Sequence, residues 1–117
     1  MKAFLIETLE TLGFPVFQQG SMSADEPYPP SFITFLLIGS EDAANFDNVT
    51  RSIAHSFQVA FYSSDPLLVE SVPRLIRSTL KAAGCIMSGV GYDLPSDELT
   101  HTGNVQECTI IENIKED

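Results

Sequence analysis

The densest group of side chains capable of chemistry lies at residues 96–103, which read Ser-Asp-Glu-Leu-Thr-His-Thr-Gly. Carboxylates and an imidazole fall within this stretch, and both groups are common metal ligands. A metal site built here would use Asp97, Glu98 and His101. The segment contains no second histidine, and spacing alone is weak evidence for a metal site. A hydrolytic centre is the other chemical alternative.

A hydrolytic centre would take Ser96, Asp97 and His101 as nucleophile, acid and base. These residues are so close in the chain that the usual hydrogen-bonded relay would require an unusual turn. A structural role is open to the same segment, in which Asp97 and the hydroxyls of Thr100 and Thr102 cap backbone amides. We expect this tight turn, leading into the last strand of the protein.

The rest of the chain lacks the common catalytic signatures. It has no GxSxG nucleophile elbow, no phosphate-binding glycine loop ending in Lys-Ser or Lys-Thr, no GxGxxG, no HExxH and no paired CxxC. A catalytic interpretation needs a nucleophile with its base, or a metal with its ligands. We therefore expect a protein that is not an enzyme and that uses neither a metal nor another cofactor.

The cysteines and the first histidine also have structural interpretations. Cys85 and Cys108 share no metal-ligand spacing and lie on segments typical of buried strands, so we expect both to be reduced core residues. A disulfide between them is the alternative. His55 lies on the apolar face of a predicted strand, and we expect a core or rim histidine with one hydrogen-bonded partner. A functional role for His55 is the alternative.

The charge balance argues against binding nucleic acid through a basic surface. With 16 acidic and 6 basic residues the formal net charge is −10, and such a surface repels phosphate backbones. A basic nucleic-acid-binding footprint is therefore not expected. The length of 117 residues and a hydrophobic content of 44% predict a single domain, residues 1–117, with one core. No apolar run is long enough to span a membrane, and Glu7 and Glu10 come too early for a signal peptide.

Helical periodicity predicts two helices. Leucines spaced at i, i+4 and i+7 predict the first at residues 2–12. The second is predicted to begin with Asp65 as N-cap and Pro66 at the first helical position, and to end at Gly84. Pro73 lies inside it and lacks the backbone N–H of a regular turn, so we expect a kink or a restart just before this residue.

Alternating apolar residues predict a mixed, mainly antiparallel sheet of about four to five strands, flanked by the two helices in an α+β fold. The predicted strands are a short edge strand at 14–18, a central strand at 31–38, a long strand at 51–62, short pieces at 85–88 and 91–94 around Gly89, and a final strand at 104–111. One face of the long strand is small and weakly polar, which suits another element or subunit packing against it.

Three segments between and after the strands are predicted to be irregular. The proline-rich residues 19–30 are expected to form a loop that orders on contact with a neighbour. The polar, acidic residues 39–48 are predicted to form a turn or a second loop. The charged residues 112–117 are expected to form a frayed tail.

Four segments occur in a defined order between Tyr28 and Gly103. They are Tyr-Pro-Pro-Ser-Phe-Ile-Thr-Phe at 28–35, Phe-Tyr-Ser-Ser-Asp-Pro at 61–66, Leu-Lys-Ala-Ala-Gly at 80–84, and Gly-Tyr-Asp-Leu-Pro-Ser-Asp-Glu at 91–98, running into Thr-His-Thr-Gly at 100–103. In this order and spacing they resemble the small tail terminator, or tail-to-head joining, proteins of long-tailed phages and prophages. The resemblance implies a mixed sheet flanked by helices and no enzymatic activity.

The same resemblance implies how the protein would work. Members of this family assemble with copies of themselves as a ring, commonly a hexamer, which stops growth of the tail tube and docks the tail to the head. The expected partners are further copies, the tail tube and the head connector, and DNA would pass through without specific binding. The expected location is the virion tail or neck, reached from the host cytoplasm during assembly.

Ring closure requires contacts between different surfaces of neighbouring copies. The candidate assembly surface comprises Tyr28, Pro29, Pro30, Asp93, Asp97, Glu98 and His101. Other interpretations remain open: another phage neck, minor capsid or tail completion protein, a non-phage adaptor that binds proteins through the same loops, or a small enzyme centred on Asp97 and His101.

Overall fold

The computed structural model describes residues 2–19, 29–46, 49–94 and 101–113. Helices and strands both form within these ranges, and the predicted α+β class is confirmed. In chain order the elements are α1 (Lys2–Glu10), β1 (Val16–Gln18), β2 (Ser31–Phe46), β3 (Val49–Ser63), α2 (Pro66–Ala82), β4 (Ile86–Leu94) and β5 (Thr102–Asn113).

The strands described here form one mixed sheet in the order β1-β2-β3-β5-β4. β1 pairs with β2 in parallel, and every other neighbouring pair is antiparallel. The mainly antiparallel sheet and the edge position of β1 are therefore as predicted. β5 follows β4 in the chain but lies between β3 and β4 in the sheet.

Both helices pack on one face of the sheet, here called the covered face. Successive side chains of a strand point to opposite faces, so Ile33, Phe57 and Cys108 lie on the covered face together with their neighbours two residues away. The core is made of these strand residues and the inner faces of the helices. Its largest buried side chains are Leu5, Leu9, Ile33, Phe35, Phe57, Val59, Phe61, Ile76, Leu80 and Cys108. Each large apolar side chain buried here contributes roughly 1.5–3 kcal/mol to stability.

The start of α2 is stabilised as its sequence predicts. The Asp65 carboxylate accepts a hydrogen bond from the Leu67 amide at 3.0 Å, and Pro66 occupies the first turn. The helix then continues through Pro73 to Ala82 as one element, so the predicted restart does not occur. Pro73 is buried, and its carbonyl accepts a hydrogen bond from Gln106 Nε2 at 2.7 Å. Burial of the proline ring and this bond to its carbonyl anchor the helix to β5 at the position where the backbone N–H is missing.

The prediction of a turn or loop at residues 39–48 is wrong over most of its length. β2 continues to Phe46 and β3 already begins at Val49, so the two strands form a long hairpin. Its distal part, residues 39–46 with 49–55, is here called the arm. The longest dimension of the molecule is 53 Å, against 29 and 23 Å in the other directions.

The apolar alternation used to predict strands does not detect the arm, because backbone pairing and not apolar burial holds the arm together. Glu41 and Asp42 are exposed, as in a loop, yet they are paired with residues of β3. The register shifts between Leu37 and Gly39 and again beyond Asp42. Such bulges let a strand continue through polar residues and increase its twist.

β4 combines the two predicted pieces into one irregular strand. Its register against β5 shifts between Ser88 and Tyr92, as expected for a bulge near Gly89. Gly89 and Gly91 have φ of 72° and 93°, a region that suits glycine. A Cβ atom at Gly91 would lie 2.9 Å from the carbonyl oxygen of Val105. Only glycine fits this position without displacing β5.

The remaining boundaries differ modestly from prediction. α1 ends at Glu10, two residues early, and β5 extends from Thr102 to Asn113. Residues 112 and 113 are therefore part of a strand, not of a frayed tail. The predicted loop at 19–30 and the tail beyond residue 113 lie mostly outside the described residues.

Candidate functional site

The candidate assembly surface is described in part. Pro29, Pro30, Asp93 and His101 lie within the described residues. The others, Tyr28, Asp97 and Glu98, lie outside them, as do Ser96 and Thr100 of the predicted tight turn. The metal, hydrolytic and turn interpretations of residues 96–103 can therefore be compared with the structure only at the end of that segment.

The structure brings His101 together with the prolines before β2. His101 Nε2 donates a hydrogen bond to the Pro29 carbonyl at 2.8 Å, across 72 residues of sequence. The Ser64 amide donates to the Pro30 carbonyl at 2.9 Å. Residues preceding β2, following β3 and preceding β5 are thereby joined at one end of the sheet. His101 acts as a tie between two chain segments.

An aromatic patch, defined as Phe17, Phe32, Tyr62 and His101, supports this tie. Phe32 stacks on Tyr62 at a ring-centroid distance of 5.3 Å, and its ring lies 6.0 Å from that of His101. Phe17 meets Phe32 edge to face at 6.2 Å. The patch lies on the face opposite the helices, yet Phe32 is only 2% exposed. Its centre is therefore a small second core, which holds His101 in place.

The alternative in which His101 is a metal ligand gains no support from this geometry. The Nε2 atom is engaged by the Pro29 carbonyl. In the described ranges, no group of three or more histidine, cysteine or acidic side chains is placed to hold a metal ion. Asp97 and Glu98, the other proposed ligands, lie outside those ranges.

Asp93 is separated from the other described candidates. It pairs with Asn104 on β5, and the Asn104 amide donates to its carboxylate at a long 3.5 Å. The register places Asp93 on the covered face, whereas the aromatic patch occupies the opposite one. Pro29, Pro30 and His101 form one site, and Asp93 is not part of it.

A relay that the sequence did not predict crosses the base of the arm. His55 Nδ1 lies 2.8 Å from Ser40 Oγ, and Nε2 lies 3.2 Å from Glu112 Oε1. Three adjacent strands, β2, β3 and β5, contribute one residue each. His55 is a partly buried rim histidine, as predicted, but it has two hydrogen-bonding partners and not the single one expected. Ser40 fell in a predicted turn and Glu112 in a predicted tail, so no pairing with His55 could be expected.

A hydroxyl, an imidazole and a carboxylate in series have the composition of a nucleophilic relay. Acyl transfer would also need a substrate site and donors for an oxyanion. Ser40 is exposed on an extended strand next to a bulge, a poor setting for such donors. We assign the relay a structural role: it ties three strands together at the point where the helices no longer cover the sheet.

The cysteines are free and buried, as predicted. Burial raises the pKa of the Cys108 thiol to about 12, with a further contribution from the neighbouring Cys85. Burial also raises the pKa of Cys85. A thiol is reactive as the thiolate, so neither side chain is a good nucleophile near neutral pH. Both cysteines belong to the core.

The face of the sheet opposite the helices is here called the open face. Beyond the aromatic patch it carries small polar side chains, such as Ser56 and Thr109, whose hydroxyls lie 3.3 Å apart. Large apolar side chains of β4 are exposed on the same face: Ile86 is 57% exposed and Tyr92 is 54% exposed. Ile111 adds a third exposed apolar side chain. Exposed apolar side chains on one face of a sheet are typical of an interaction surface.

Neither described helix is both long and apolar enough to cross a membrane. The sequence matches no protein-family model. No curated protein matches it significantly either.

Proposed function

We propose that this protein is a structural virion component, a tail terminator or head-tail joining protein. Copies of it would assemble into a ring at the end of a phage tail tube and let DNA pass. Its location would be the virion tail or neck. The observation that carries the proposal is that three of the four segments resembling this family meet at one place in the fold.

Named hydrogen bonds and one aromatic contact join these segments. His101, from the last segment, bonds to Pro29 of the first at 2.8 Å. Ser64, from the second, bonds to Pro30 of the first at 2.9 Å. Phe32 and Tyr62 stack beside them. Segments far apart in sequence thus build a single junction, which supports a shared role for them.

The distribution of charge supports passage of DNA without binding. The net charge is −10, and Asp42 is exposed on the arm. A channel lined by carboxylates repels the phosphate backbone, so DNA would neither bind nor stall in it. The arm is the described part best suited to reach a channel or a neighbouring ring, since it extends beyond the helix-covered core.

Deleting the gene from the phage that encodes the protein tests the proposal. Electron microscopy of the resulting particles should show overlong tails detached from filled heads, because nothing would stop tube growth or join the tail to the head. Supplying the intact gene in trans should restore normal particles. Normal virions from the deletion phage would reject the proposal, and an adaptor that acts outside the particle would then be favoured.

A further inference from the structure

We propose that copies of this chain join head to tail, with the outer face of α2 of one copy packed on the open face of the next. The inference rests on the proposed ring and names the contact that would build it. The next copy is the partner that the chemistry of the two faces favours, because their charges and apolar residues are complementary.

The outer face of α2 is the basic surface of an acidic protein. Only 6 residues of the chain are lysine or arginine, and α2 contains three of them with a single acidic residue, Glu70. Arg74 and Lys81 are exposed. Arg77 is engaged, since its guanidinium donates to the Gly89 carbonyl of β4. Arg74 and Lys81 are thus the cations available to a neighbour.

Apolar side chains accompany these cations on the same helix. Leu67 is 73% exposed and Leu75 is 54% exposed, although α2 buries its other large apolar residues at least in part. The exposed Ser71 lies between them on the helix surface. A strip of leucine, serine and leucine beside two cations can pack on a surface that carries both exposed apolar side chains and carboxylates.

The open face offers the complementary features. Glu41 and Glu107 point to this face, because their positions in the register alternate with those of the core residues. Between them lie small side chains, including Ala54 and Ser56, which leave room for a helix. No basic residue of β2–β5 with a described side chain lies on this face.

The exposed apolar residues of α2 and those of the open face are also similarly spaced. Leu67 and Leu75 are eight residues apart, which is about 12 Å along a helix. Ile86 and Tyr92 pair with Thr109 and Val105, positions four residues apart on β5, or about 14 Å along a strand. Glu107 lies midway between these positions, one strand away from Ile86 and Tyr92. A helix lying along β4 can therefore contact both apolar residues and place a cation near Glu107.

This contact has a definite symmetry. The outer face of α2 and the open face point in opposite directions, because the helix and the sheet are successive layers of one molecule. A contact between them is heterologous, so repetition gives a ring if the rotation closes and a filament if it does not. Two open faces packed on each other would instead bring Glu41 and Glu107 near their own copies, and like charges oppose that pairing.

Complementary charge reversal tests the contact. The first variant carries Arg74→Glu with Lys81→Glu, and the second carries Glu41→Lys with Glu107→Lys. Sedimentation velocity over a concentration series should show association of the natural protein and, for each variant alone, association weaker by roughly 10- to 100-fold. An equimolar mixture should recover association, since each reversed face then meets an oppositely charged one in an alternating assembly. The control, Glu7→Lys with Glu10→Lys on α1, should associate as the natural protein does.

A covalent trap extends the test to weak association. Leu75→Cys combined with Ile86→Cys should give a ladder of disulfide-linked multimers on mild oxidation, whereas either substitution alone should not give species beyond a dimer. The natural cysteines are buried and should stay reduced. Circular dichroism of every variant checks that the fold is retained.

The outcomes separate this contact from the proposed function. Variants that assemble as well as the natural protein, with no ladder from the double cysteine variant, would overturn the contact while leaving the ring role intact. A monomer at all concentrations that also gives no ladder would overturn the contact as well. Recovery in the mixture, together with normal virions from the deletion phage, would support the contact and reject the tail role.

Discussion

The helix-covered half of the sheet and the arm beyond it use the same strands, β2 and β3, but different physical devices. In the covered half, residues such as Phe35, Phe57 and Val59 alternate inward and are buried. In the arm, backbone pairing continues through exposed acidic residues and bulges, and a side-chain relay at His55 ties the strands. Apolar burial stabilises the first region, whereas backbone pairing and local polar bonds order the second.

The largest expected loss of stability comes from removing a large buried side chain from the covered half. Phe57→Ala removes a fully buried ring at the centre of the core, and it should lower the free energy of unfolding by about 3–5 kcal/mol. Ile111→Ala on the open face should lower it by at most about 1 kcal/mol, because this side chain is already exposed. Urea unfolding of both variants checks the difference, and equal losses would show that the open face is itself a core.

Glycine substitutions compare the two regions at the backbone. Gly91→Ala introduces a Cβ atom 2.9 Å from the Val105 carbonyl at a φ of 93°, and it should cost roughly 1–3 kcal/mol. Gly39→Ala in the arm meets no atom within 4 Å and should change stability by less than about 1 kcal/mol. Thermal unfolding measures both. A larger loss at Gly39 would mean that the arm is packed more tightly than its exposure indicates.

The buried thiol of Cys108 should make the free energy of unfolding fall as the pH becomes alkaline. The folded pKa of Cys108 is raised to about 12 from an ordinary value of 9.0, so the unfolded chain loses this proton first. The contribution of Cys108 is therefore complete below pH 9.0 and is lost as the pH rises towards 12. At pH 10 we expect a loss of about 1 kcal/mol. Cys108→Val should remove this part of the pH dependence in urea unfolding, and an unchanged profile would contradict it.

The smallest expected effect is local to the arm. His55→Ala removes the bonds to Ser40 and Glu112, and it should lower the global free energy of unfolding by about 1 kcal/mol. Hydrogen exchange should show a larger loss of protection at residues 39–42 than at the core strands, because the relay lies at the base of the arm. Ser52→Ala, which removes one bond to Asn113, is the control. Uniform loss of protection would mean that the arm and the core unfold together.

Much of the fold could be predicted because its determinants are local. The cap of α2 needs only Asp65 and Pro66, and the covered strands show their apolar alternation directly. The arm could not be predicted from the same signals, since alternation reports burial and not pairing. Glu41 and Asp42 resemble loop residues in every respect except that β3 pairs with them.

The candidate site, too, could be predicted from the sequence only in part. The resemblance identified Pro29, Pro30 and His101 as candidate residues, and the structure joins them. It could not show that Asp93 would lie on the other face, because that depends on a bulge between Ser88 and Tyr92 that resets the register. The His55 relay was missed because its partners lie 15 and 57 residues away, on strands predicted to end too early.

The position of β5 has a consequence for how the protein is made. β4 leaves the ribosome before β5. In the sheet of the described residues, however, β4 pairs only with β5, and β5 in turn pairs with β3. Until residues 102–113 have been synthesised, β4 has no place in the sheet and the open face lacks two of its strands. A nascent or truncated chain that lacks these residues therefore cannot form the complete open face, the surface on which we propose that a neighbouring copy packs.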